Sequence, residues 1–166
     1  VELREFDLAR GSFVEDGFRV PKSRAFAHWL EADTVLVMHT LDGAPTTLPG
    51  WPATARVWKR GEPLSSATVV FEGQPSDALL NATVVGTGDG ARAVITRAID
   101  YSTFETWLVG ADGERQPLPF PQAIKGFGLS TVMDRYVVVQ LAADADVEGK
   151  AYPAETLLAY DTAKTE

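Results

Sequence analysis

An all-β fold is what this sequence predicts, and three observations carry it. Apolar residues alternate with polar ones in short runs rich in β-branched and aromatic residues. No window of about twelve residues shows a 3.6-residue period with capping residues at its ends. Fourteen glycines and ten prolines fall between the runs as punctuation.

The runs follow in order. "TVLVMHT" (Thr34 to Thr40), "ATARVWKR" (Ala53 to Arg60) and "SATVVFEG" (Ser66 to Gly73) come first, with a strand near Ala25–Leu30 ahead of them. A second set comprises Leu79–Val85, "ARAVITRAI" (Ala91 to Ile99), "FETWLVG" (Phe104 to Gly110) and Arg115–Leu118. "RYVVVQL" (Arg135 to Leu141) and "AETLLAYD" (Ala154 to Asp161) close the chain.

One pattern recurs: a strand that stops on a charged turn. It is written in "REFDLARGSF", "VWKRGEP", "WLVGADGERQPL" and "LLAYDTAKTE". The turn anchors Asp7, Arg60, Asp112 and Asp161 lie 53, 52 and 49 residues apart. Four strands in a unit of about 50 residues is the period of propeller blades. The prediction is therefore a partial β-propeller of four-stranded antiparallel blades. Each recurring segment is a third strand with its turn into the fourth, and Gly61 and Asp112-Gly113 supply the turn chemistry.

The units fall at 1–20 (the end of one blade), 21–73 (a blade), 74–121 (a blade) and 122–166 (an incomplete blade). A closed propeller needs at least about four blades. The expectation is an excerpt of a longer protein, and the Val1 start fits it. Bare blade faces at both ends lead to an expected homodimer of the fragment.

Composition excludes several functions. The chain has 166 residues, 45% of them hydrophobic and 23% charged, which is globular. A net charge of −8 opposes a phosphate backbone as partner, so no nucleic acid is expected. No apolar run approaches the roughly 18 residues of a membrane span, and "VELREF" is no signal peptide. With no cysteine, thiolate chemistry is absent. The compartment stays open.

Nucleophilic catalysis needs an activated hydroxyl beside a base. The pentapeptide G-x-S-x-G does not occur; "RGSFV" places Ser12 in a hairpin. His28 and His39 sit inside strands and read as packed strand residues. "DADVEGKAYPAE" (Asp144 to Glu155) copies much of a calcium-loop spacing through Asp144, Asp146, Glu148, Gly149 and Glu155. Glu148 is long for its position, Pro153 interrupts, and strands flank the segment, so it reads as a solvated acidic loop. "GTGDGAR" (Gly86 to Arg92) lacks the Gly-Lys-Ser/Thr of a phosphate loop and reads as a hairpin. "QPLPFPQ" (Gln116 to Gln122) reads as an edge strand and its exit, and Asn81 as a sequon by spacing only. Of the tryptophans, Trp29, Trp58 and Trp107 read as packing residues and Trp51 as the exposed one. No catalytic, cofactor-binding or metal-ligating residue is assigned.

Taken together, "REFDLARGSFVEDGF", "WLEADTVLV", "VWKRGEPLSSATVVFEG", "RAIDYSTFETWLVGADGERQPLPFP" and "YPAETLLAYD" resemble the N-terminal β-propeller of bacterial prolyl oligopeptidase family serine peptidases. The resemblance implies a parent with an α/β-hydrolase domain carrying a Ser-Asp-His triad. The propeller would lie over that site and admit short peptides. The triad of such an enzyme lies outside this chain, so the resemblance implies a non-catalytic segment whose partners are the hydrolase domain and, for the parent, peptide substrates. The rival reading is a propeller interaction module with no hydrolase attached. A β-sandwich is disfavoured because it lacks a four-strand superperiod.

Overall fold

The computed structural model describes residues 1–86, 90–125 and 131–164. Two complete four-stranded antiparallel sheets form its middle. The first has the order β5-β6-β7-β8, built from β5 (Ala25–Glu31), β6 (Thr34–His39), β7 (Thr54–Lys59) and β8 (Thr68–Glu72). The second has β9 (Leu79–Val85), β10 (Arg92–Ala98), β11 (Phe104–Val109) and β12 (Arg115–Pro117) side by side in chain order. Both match the strands read from sequence to within a residue or two.

Ahead of them lies a hairpin. β1 (Leu3–Arg4) pairs with β4 (Arg19–Val20), and β2 (Phe6–Asp7) pairs with β3 (Ser12–Phe13). Glu5 continues the ladder between the two pairs, giving its N–H to Phe18 O and accepting from Val14 N–H. After the second sheet come β13 (Thr131–Met133), β14 (Tyr136–Gln140) and β17 (Leu157–Asp161) in one three-stranded sheet. This is the partial propeller expected, with two four-stranded antiparallel sheets in the middle and smaller sheets before and after them.

The sheets stack face to face, and period 2 explains how one strand serves two cores. On β6, Leu36 and Met38 join Ala82 and Ile95 of the second sheet in one core. Val35 and Val37, on the other face, join Val20 of the hairpin in another. All six residues of β6 are buried, so it reads as a continuous apolar run. On β10, Ala93 and Ile95 face the first sheet, while Val94 packs with Val137 of the last sheet.

Three sequence expectations need correction. The segment Asp144 to Glu155 is not a plain loop: β15 (Ala145–Val147) and β16 (Lys150–Tyr152) make a hairpin within it. Its turn puts Glu148 at φ 54° and Gly149 at φ 78°, the paired left-handed conformation that closes a two-residue hairpin. Asp146 accepts the Gly149 N–H at 2.9 Å and fixes the turn. Secondly, Asp112-Gly113 does not make a two-residue turn. Gly110 to Glu114 form a five-residue connection, closed by Gly110 N–H to Glu114 O at 2.9 Å. Thirdly, Trp29 and not Trp51 is the exposed tryptophan. Trp29 is 51% accessible, whereas Trp51 is half-buried beneath the Arg24 guanidinium, 4.8 Å from its ring. The hairpin read in "GTGDGAR" falls partly on residues 87–89, outside the described residues.

Candidate functional site

The groups able to do acid–base chemistry stand apart from one another. Ser12 is exposed on β3, where its backbone pairs with Asp7. His39 is buried on β6, and its Nδ1 accepts the Leu41 N–H at 3.2 Å. Burial is the first cause that pulls its pKa down, and the Arg56 charge adds to it. His28 is half-buried on β5 and its pKa is likewise lowered by desolvation. Among the described residues no serine or threonine hydroxyl bonds either imidazole. A nucleophile–base pair requires that bond.

The acidic segment spends its carboxylates locally. Asp144 accepts the Ala154 N–H at 2.7 Å, and Asp146 caps its own turn. Glu155 pairs with Lys125. Among the described residues no group of three or more His, Asp or Glu could hold a metal ion. Asn81 lies within β9 opposite Thr96, half-buried in the ladder.

What the fold does build is a seam between the first hairpin and the first complete sheet. Arg60, just after β7, gives two hydrogen bonds to Glu5: Nη1 to Oε2 at 2.8 Å and Nη2 to Oε1 at 2.9 Å. Its Nε reaches Asp33 at 2.6 Å. This planar fork matches a carboxylate bidentately, which a lysine would not do. The Arg60 hydrogen bonds hold the Glu5 carboxyl below the usual carboxylate range. The same guanidinium lies 4.9 Å from the Phe18 ring, and Phe18 packs edge-on against Trp58 and Trp29. Inward of the seam, Leu3 and Val20 face Ala27, His28 and Val35 across a cavity of about 240 Å³.

A second polar lock ties the β8–β9 connection to the second sheet. Asp77 is fully buried and accepts from Gln74 N–H and Arg97 Nε, both at 2.7 Å. Arg97 also reaches Glu105 at 3.1 Å. A wider groove of about 660 Å³ runs between Glu31 and the β11–β12 turn. Its lining mixes Arg92 and Arg115 with Asp112 and Glu114 and holds no hydroxyl or imidazole. The arrangement positions surfaces and packs sheets.

Neither Glu5–Arg60 nor Asp77–Arg97 was anticipated from the sequence. Their partners lie 55 and 20 residues apart, and no local spacing marks them.

No family model matches the chain. Over 105 residues, or 62% of this chain, it is 31% identical to an uncharacterized peptidase, y4nA, of Sinorhizobium fredii (strain NBRC 101917 / NGR234), and that match spans 14% of the relative. In structure the chain is similar to a post-proline cleaving enzyme from Rickettsia typhi, with a TM-score of 0.79 at 20% sequence identity. That likeness covers 95% of this chain and 24% of the other. The chain thus spans a small part of each protein it matches. Both likenesses agree with the resemblance to the prolyl oligopeptidase family read from the sequence.

Proposed function

We propose that the chain is the propeller portion of a prolyl oligopeptidase-like serine peptidase, a structural and substrate-gating segment that is not itself catalytic. One observation carries the reading. The fold likeness takes in 95% of this chain but only 24% of a post-proline cleaving enzyme, while among the described residues no serine or threonine hydroxyl bonds His28 or His39, and His39 Nδ1 accepts from Leu41 N–H. The segment therefore contributes walls, and the reacting groups belong to the rest of the parent polypeptide. A stack of sheets suits a gate, because neighbouring sheets share buried cores and the Glu5–Arg60 pair ties the first hairpin to the first sheet.

Two measurements test this. Purified chain, incubated with chromogenic Pro- and Ala-peptide substrates, releases no chromophore. Turnover that disappears in His28→Ala would overturn the non-catalytic part. In the parent polypeptide, a G-x-S-x-G serine outside these residues is expected, and its replacement by alanine abolishes peptide cleavage. A parent with further blades and no such serine would instead favour the interaction module.

A further inference from the structure

We draw no further inference here: the strongest candidate, the cavity of about 550 Å³ where His39 and Arg56 of the first complete sheet face Arg19 and Pro21 at the end of the first hairpin, lies on a sheet face that the hairpin covers only in part, and nothing in the structure shows what covers the rest.

Discussion

The complete sheets of residues 25–117 and the partial ones at the two ends are built from the same kind of strand, yet they bury it differently. β6 and β10 lie between two other sheets and put Leu36, Val37 and Ile95 at 1%, 0% and 0% exposure. The end units leave Phe6, Phe13, Met133 and Leu157 at 46%, 52%, 63% and 68%. The strand pattern therefore does not by itself set burial. Neighbours do, because a sheet face is covered only by the next sheet.

Substitutions should expose that difference. Ile95→Ala, inside the core shared by the two complete sheets, is expected to cost about 2–5 kcal/mol in denaturant unfolding. Leu157→Ala at the open end should fall within about 0.5 kcal/mol of the parent chain. Equal losses at the two sites would erase the contrast.

Asp77→Ala should come next, at about 3 kcal/mol, since it strands Arg97 and the Gln74 N–H beneath the sheets. Arg97 keeps its bond to Glu105, which holds the loss below that of a wholly isolated charge.

At the seam, Glu5→Gln should cost about 1 kcal/mol, because the bidentate pair is partly solvated and screened. The carboxyl is depressed in the fold, so its contribution is present above the unfolded carboxylate pKa of 4.5 and is lost as pH falls through the folded value. Acid should therefore loosen the parent hairpin and leave Glu5→Gln indifferent over that range. Amide exchange at Phe18 against pH reads this directly.

The smallest effect comes from the two histidines. Both have folded pKa values below 6.5 through burial, so the unfolded chain binds their protons first. Stability is complete above about 6.5 and declines below it. Imidazole titration by NMR should place both midpoints under the unfolded value, and a midpoint above it would contradict the burial described for them.

Much of this was legible in the sequence, and the parts that were not share a physical cause. β9, β10 and β11 were read to within a residue because β-branched runs such as Val94-Ile95-Thr96 stop at Gly, Asp or Ser. The β15–β16 hairpin escaped because its strands are three residues long and carry Asp146 and Lys150, residues that strands disfavour. What makes it a hairpin is a left-handed Glu148-Gly149 turn, which composition does not announce. Trp51 read as exposed because it lies in a Pro-Gly loop; Arg24, donating to Pro49 O and Gly50 O at 3.0 Å, folds over it. The seam was invisible for a different reason. Glu5 and Arg60 meet only once the blades stack, and the repeat gives the stacking but not which charges it brings together.

The most direct test of the contrast between middle and ends is residue-resolved amide exchange of the unliganded chain. The account predicts that β6 and β10 exchange only through global unfolding, and that β1–β4 and β17 exchange through smaller local openings, at least about tenfold faster. Uniform protection from Leu3 to Asp161 would contradict it, showing that the smaller sheets before and after are held as firmly as the four-stranded sheets between them.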